Sequence, residues 1–432
     1  MGGGLLQLVS SGKQGKYLTS NPQISYFKQV HKKHTNFAIE SIPLQFNQTV
    51  DFGLKSVCKV GRHGDLLNKC FLEISLPNFP ENISAEKDIS EEGKTAEEIQ
   101  ELEEGKIAWT NGIGNALIKE VQLLIGGEII DRMDGQLLDI YSEFYLEEGK
   151  RNTYHKLIGY HKSYDGVNDN DKAMRLYVPL EFWFCRNIGS SLPLVSMQYH
   201  DVEIQVEFRK FSECYYQSSE IPTPVSITSC RLYADYVYLD IDERKEFASR
   251  SHEYLITQHQ KNDNNSIQYS QKSVKIDLEF NHPVKSLFWF VKTLTSDNDN
   301  LWFDYYPRLA VEPTEPLKKD ELNFIDSVQL LLNGQERFNR RNGEFFRYIE
   351  PYKRCRNVPD DKSVYNYNFG VNTCQFQPSG FLNFSRIDNS QLNIDIIDDN
   401  TVQDDTLYIT IYAINYNVLK IHSGMGGLMY KD

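Results

Sequence analysis

Long apolar runs are missing from this chain. Nowhere do eighteen apolar residues follow one another, so no segment reads as a membrane-spanning helix. The opening stretch, MGGGLLQLVSSGKQGKYLTS, lacks both the basic start and the extended apolar core of a secretory signal. Met1-Gly2 invites myristoylation, but Leu6 stands where that motif needs Ser or Thr. Cysteine is scarce. The seven cysteines are odd in number and show no Cys-x-x-Cys spacing, which argues against a disulfide framework and reads as reduced, mostly buried thiols in a cytosolic compartment. Basic charge also falls short. With Lys and Arg at 46 against 60 Asp and Glu, the chain carries −14 and a pI near 5.3, a field that repels phosphates and argues against a DNA-packing role.

What is plentiful is aromatic. Tyr 26 and Phe 24 sit in short apolar segments rich in β-branched neighbours, which favours strands over helices. A length of 432 residues gives room for two domains of roughly 200 residues, each with its own core.

A repeat supports that division. Leu117 to Tyr145 is written again, with changes, at Phe324 to Tyr352: Val121-Gln122-Leu123-Leu124 matches Val328-Gln329-Leu330-Leu331, Gly127 matches Gly334, and Asp134-Gly135 matches Asn342-Gly343. Each copy prescribes the same local structure. An apolar strand reaches a glycine turn, Ile125-Gly126-Gly127-Glu128 or Leu332-Asn333-Gly334-Gln335, the second with the Asn-Gly pair of a type I′ hairpin. Asp134 or Asn342 then N-caps a short helix with apolar positions at Leu137, Leu138, Tyr141 and Phe144, or at Phe345, Phe346, Ile349 and Tyr352. Two such units far apart predict two similar domains in tandem; a solenoid would repeat at much shorter periods.

Taken in order, a glycine-rich lead reaches Asn21-Pro22 and the only dense basic cluster, Lys28, His31, Lys32, Lys33 and His34, which suits either an anionic surface or a solvated inter-subunit face. Strand-like runs follow at 37–50, 54–60, 66–76, 175–184, 196–208 and 225–240. Segment 81–106 is too charged for a core and reads as a surface loop with a short helix, and 149–172 reads as a polar connection. Charged 241–253 reads as the linker. The second half carries runs at 274–280, 284–292, 302–306, 364–371, 381–387, 391–397 and 406–420. About eight short strands per half, each half with an inserted helix, predict two antiparallel jelly-roll sandwiches.

Chemistry-bearing patterns are weak. Gly93-Lys94-Thr95 mimics the end of a phosphate-binding loop, but Asp88 replaces its first glycine. The carboxylate pairs Asp398-Asp399, Asp404-Asp405 and Glu147-Glu148 are adjacent in loop-like sequence, where solvation explains them without glycoside chemistry. His31 with His34, and His155 with His161, lack an acidic partner at metal-ligand spacing. Cys185 and His200 share a segment without a nucleophile turn. No residue is therefore assigned to catalysis, a cofactor or a metal. The competing reading is a carbohydrate-binding or glycosidase-like jelly-roll protein, with Trp109, Trp183, Trp289 and Trp302 as candidate stacking platforms, although the last three sit in apolar runs that read as core. Sequons occur at Asn47, Asn82, Asn264 and Asn383.

Several longer motifs occur in a recognisable order. They are Asn21-Pro22-Gln23-Ile24-Ser25-Tyr26-Phe27-Lys28 running into His34-Thr35-Asn36-Phe37-Ala38, then Gly64-Asp65-Leu66 and Gly126-Gly127. Phe184-Cys185-Arg186-Asn187 leads to Leu192-Pro193-Leu194 and Gln198-Tyr199-His200. Phe280-Asn281-His282-Pro283-Val284 follows, then Ala413-Ile414-Asn415-Tyr416-Asn417-Val418-Leu419 with Ser423-Gly424-Met425-Gly426-Gly427. In these the chain resembles the double jelly-roll major capsid proteins of the nucleocytoplasmic large DNA viruses, iridoviruses and chlorella viruses among them. The departures fall in 81–106 and 149–172.

The resemblance implies an all-β chain of two tandem eight-stranded antiparallel jelly-roll barrels with short inserted helices. It implies an N-terminal arm over 1–36, a first roll over 37–240, a linker over 241–253 and a second roll over 254–432. It further implies a structural subunit, not an enzyme, that homotrimerises into pseudo-hexagonal capsomers tiling the icosahedral shell of a virion assembled in host cytoplasm. The expected partners are neighbouring capsomers, minor capsid and penton proteins, and an inner membrane met through the arm. No sequence-specific nucleic-acid contact is expected.

Overall fold

A computed structural model describes residues 3–10, 12–80, 107–161, 173–216, 223–307, 323–359, 362–397 and 405–431. Residues up to Phe37 form one unit, with short helices Gly3–Val9 and Lys13–Thr19 whose side chains are almost all exposed. Residues from Ala38 onward form the other.

In the first half of that unit the strands are β1 (Phe37–Leu44), β2 (Lys55–Lys59), β3 (Leu66–Leu76), β4 (Ile118–Ile125), β5 (Glu128–Met133), β6 (Met174–Pro179), β7 (Val202–Phe208) and β8 (Ser229–Leu239). They pair as two sheets ordered β1-β8-β3-β6 and β2-β7-β4-β5. The second half repeats the plan with β9 (His252–Gln268), β10 (Ser273–Asp277), β11 (Pro283–Thr293), β12 (Ile325–Leu332), β13 (Gln335–Asn342), β14 (Val364–Asn368), β15 (Ser390–Ile396) and β16 (Thr406–His422). Their order is β9-β16-β11-β14 and β10-β15-β12-β13. Position for position the two halves have one topology, that of an eight-stranded jelly roll. The chain is a double jelly roll. β17 (Met425–Leu428) folds back on β16 and ends the second roll.

The repeated unit explains part of this order. In both β4–β5 and β12–β13 the two turn residues take positive φ, Gly126 60° with Gly127 84° and Asn333 49° with Gly334 76°. These are the type I′ requirements, and they fix the registers Ile125↔Glu128 and Leu332↔Gln335. Asp134 then accepts from Leu137 N at 2.8 Å and caps the Gly135–Tyr145 helix, whose Leu137, Leu138, Ile140 and Phe144 are buried.

Several expectations are corrected. The second copy's helix is a π-turn over Phe345–Ile349 leading into Glu350–Arg354, and it buries Phe346, Arg347, Glu350 and Pro351 while Ile349 and Tyr352 stay exposed. Residues 302–306 are not a strand: Trp302 and Phe303 form a turn. The polar connection begins with a helix, Glu148–Ile158, which buries Arg151, Tyr154, His155 and Ile158 at helical spacing. The longest omission is β9, whose HEYLITQHQKNDNNSIQ is too polar to read as a strand. Among the described residues it is an edge strand paired only with β16, bulged between Asn262 and Asn265, so much of it faces water. The segment expected as linker holds the Ile241–Ser249 helix, and β9 starts inside it at His252. The 81–106 loop lies outside the described residues.

Candidate functional site

Burial differs between the matching sheets of the two rolls, and that difference locates the surface of interest. In β11 every residue after Pro283 is buried, and β16 is buried without a break from Ile409 to Asn417. A strand covered on one face alternates; these are covered on both. Leu287, Trp289 and Val291 enter the second roll's own core, while Phe288 and Phe290 join the first roll's core. β8, the counterpart of β16, alternates: Leu232, Ala234 and Tyr236 point in, and Arg231, Tyr233 and Asp235 are at least partly open. Residues 38–41 of β1 are exposed.

The cover over the second roll's sheet is the Gly135–Tyr145 helix with its flanks. Phe144 lies 5.1 Å from Phe288 between ring centres, and Tyr145 OH meets Ser286 Oγ at 3.5 Å. At the near end Tyr412 OH donates to Asp134 at 2.7 and 2.8 Å, and Lys261 Nζ reaches the same carboxylate at 3.0 Å. The helix cap is therefore also an inter-roll anchor.

Charge is buried along this seam. Lys362 Nζ donates to Asp139 at 2.6 and 2.7 Å and lies 3.2 Å from Glu143, which also pairs with Arg151. All four side chains are nearly inaccessible. Burial would strip the proton from Lys362, but the Asp139 and Glu143 carboxylates outweigh it and hold the ammonium charged. Burial pushes the Asp139 carboxyl up to about 6 against the pull of Lys362. A second bridge runs through His259 on β9. Its Nδ1 donates to Asp131 of β5 at 3.1 Å, its Nε2 accepts from Arg186 Nη2 at 3.0 Å, and burial lowers its pKa, so the neutral ring satisfies both neighbours.

Lys285 is less well compensated. It is 4% exposed and donates to Thr373 O at 3.0 Å, and burial beside the Arg186 guanidinium lowers its pKa to about 7. A depressed ammonium pKa means the unfolded chain binds the proton more tightly. The penalty thus grows as pH falls from the unfolded value of about 10.5 towards 7 and is complete below. Lys285→Met is expected to gain roughly 2–4 kcal/mol at pH 7. Urea midpoints for both proteins should converge as pH rises towards 10.5; a pH-independent difference would exclude this cause.

Two family models match this chain. Residues 25–240 match the major capsid protein N-terminus, and residues 243–427 match the large eukaryotic DNA virus major capsid protein. The chain belongs to the major capsid protein family of large eukaryotic DNA viruses. Among its relatives, the major capsid protein of Pyramimonas orientalis virus is 36% identical and that of Paramecium bursaria Chlorella virus 1 is 33% identical, each alignment covering 100% of both chains. A chain of the PBCV-1 virus capsid quasi-atomic model superposes with a TM-score of 0.78 at 29% identity, over 94% of this chain and all of that one.

In this capsid protein the weighed chemical residues are dispersed. Glu147 pairs with Lys150 at 2.7 Å and Arg356 at 3.4 Å, and Glu148 lies 3.8 Å from Arg151. Asp405 accepts from Thr295 Oγ1 at 2.7 Å, while Asp398, Asp399 and Asp404 fall outside the described residues, as does Gly93-Lys94-Thr95. His155 faces Glu143 at 4.0 Å, and the backbone of His161 is held by Asn111. Cys185 hydrogen-bonds Asn68 O and His200 meets Gly426 O, so they do not pair with each other. The lectin reading also loses its platforms. Trp109, Trp183 and Trp289 are buried, and Trp302 is covered by the Arg209 guanidinium at 3.5 Å and Lys292 at 4.5 Å.

Sequence reasoning did not single out Lys362, Asp139, Glu143, His259 or Lys285. The available signal was in their neighbours: the unbroken runs SLFWFV and ITIYAI mark sheets covered on both sides.

Proposed function

We propose that three copies of this chain close head to tail into a pseudo-hexagonal capsomer of six rolls, which packs with neighbouring capsomers into the icosahedral shell of a large DNA virus. One observation carries the reading: what the seam joins inside the chain is left open at its two ends. The repeat matches Phe144 with Tyr352 and Tyr141 with Ile349. In the first roll Phe144 is buried against the next sheet, whereas Tyr352 is 82% exposed and Ile349 45%. The sheet that would receive them is the outer face of β1-β8-β3-β6, with Ile39 exposed and Phe71, Tyr233 and Tyr238 partly so. A helix that docks on the sheet of a neighbouring roll is a heterologous contact, and repeating it around an axis closes a ring. With two rolls per chain, three chains complete six positions.

The test is solution mass by light scattering on purified protein. The wild type is expected as a trimer, and Ile349→Asp combined with Tyr352→Asp as a monomer with unchanged circular dichroism. A double variant that remains trimeric would refute the docking mode.

The chain is structural, like the capsid proteins it resembles, and no residue is assigned to catalysis, a cofactor or a metal. Its place is the virion, with assembly in host cytoplasm. The arm supports inward contacts. It carries five lysines and no carboxylate before Glu40, in a chain of net charge −14, and exposes Leu5, Leu6, Leu8, Val9, Tyr17, Leu18, Tyr26 and Phe27. That mixture suits minor capsid and penton proteins or an anionic inner membrane. Deleting residues 1–34 is expected to leave trimers intact and to lower recovery of shells enclosing membrane several-fold. Normal shells on normal membrane, seen by electron microscopy, would remove this role.

A further inference from the structure

Cys355 and Cys374 bring two unbridged thiols together. Both are held at one corner of the second roll. Cys374 Sγ lies 3.9 Å from Arg354 O, Thr373 Oγ1 reaches that same carbonyl at 3.4 Å, and Asn368 Nδ2 lies 3.6 Å from Cys355 Sγ. The chain leaves this corner at the end of the Glu350–Arg354 helix and returns six residues after β14.

The two sulfurs are unequal. Both residues are partly exposed, but of the two it is Cys374 that lines a cavity of about 100 Å³ with Lys285, Arg186, Tyr141 and Phe376. Its thiol is lowered to about 7, first by the hydrogen bond from Cys355, with Arg356 and Lys285 contributing. Cys355 is raised well above the usual thiol range by the same hydrogen bond and by burial. The charged and titratable groups facing the pair are Lys285, Arg356, Arg186, Glu350, Tyr141 and Tyr145.

We propose that Cys355 and Cys374 form a reactive dithiol whose substrate is a small-molecule disulfide, with Cys374 the attacking and Cys355 the resolving sulfur. The Cys374 thiolate attacks one sulfur of the disulfide, whose S–S bond breaks to release one thiolate and leave a mixed disulfide on Cys374. Cys355 gives its proton to the departing thiolate and attacks Cys374 Sγ, which expels the second small thiol. Two protein thiols are oxidised by two electrons, and one small disulfide is reduced to two thiols. The new bond ties the helix carrying Ile349 and Tyr352 to the exposed loop of Val371 and Phe376.

A second pair in the same chain serves as an internal control. Cys70 and Cys185 share Asn68 O at 3.8 and 3.5 Å, but Cys70 is buried and its thiol is raised by the Cys185 hydrogen bond and burial. It should stay reduced while the protein is folded.

Native full-length protein is treated with oxidised glutathione at about pH 7.5, quenched with acid and mapped by mass spectrometry. The expected product is a Cys355–Cys374 cross-link, with the loss of two hydrogen atoms from the intact mass. Cys355→Ser should stop at glutathione on Cys374, and Cys374→Ser should give neither product. Alkylation of the reduced wild type should label Cys374 about tenfold faster than Cys185 or Cys230 at neutral pH. A stable glutathione adduct on wild-type Cys374 without a cross-link, preferential bridging of Cys70 to Cys185, or no reaction at all would each overturn the proposal. The wild-type map and alkylation rates decide the matter even where a variant fails to fold.

Discussion

Lys362→Met is expected to destabilise the subunit by roughly 3–5 kcal/mol, because it removes one partner of a buried ion network and leaves the others in place. Glu143 would keep Arg151. Asp139 would be left with little more than Tyr305 OH, which approaches its Oδ2 at 3.5 Å. The loss therefore falls on Asp139, and Asp139→Asn added to Lys362→Met should recover at least half of it. The pH dependence has a definite sign. The Asp139 carboxyl is raised in the folded state to about 6, so the folded chain takes up that proton more readily than the unfolded chain. Without Lys362 it rises further, and the deficit should shrink as pH falls from neutral towards 5 or so. Urea unfolding of wild type, single and double variants across that range is the measurement. A deficit independent of Asp139 would show that lost packing, not stranded charge, is responsible.

Gly135→Ala and Gly343→Ala are each expected to cost roughly 3 kcal/mol or more, and for the same reason in both rolls. A methyl group at Gly135 would overlap Asn115 O, and one at Gly343 would overlap Ile325 O. In each case the obstruction is backbone just before or at the start of the first hairpin strand, which cannot swing aside as a side chain could. Gly334→Ala is the control. It sits in the hairpin turn at φ 76° with open space around it, so only the left-handed strain of about 1–2 kcal/mol applies. Equal losses in all three variants, by chemical denaturation, would exclude close approach as the cause.

These two glycines also show how far the sequence could be read. Asp134-Gly135 and Asn342-Gly343 marked the repeat, and the turns before them fixed the hairpins. The pattern was legible because its determinants are neighbours along the chain. The apolar strands of both cores were legible for the same reason. The polar edge strand β9 was not, since an edge with one partner needs little apolar surface, and its pairing with β16 joins residues about 150 apart. The helix at Glu148–Ile158 was hidden because its buried face includes Arg151 and His155, which turn inward only to meet Glu143. The seam was the least legible feature. Lys362 and Asp139 are 223 residues apart, and a buried lysine is indistinguishable from a solvated one until its acceptors are placed.

The uninterrupted burial of β11 and β16 has a consequence for how the particle comes apart. Inside one molecule the junction between rolls is held at a fixed local concentration by the polypeptide itself, whereas the counterpart proposed between molecules would obey mass action. Dilution, or a solvent that weakens apolar contact, should release whole two-lobed subunits long before any lobe stands alone. In the proposed ring, half of the joints would never have to find each other again.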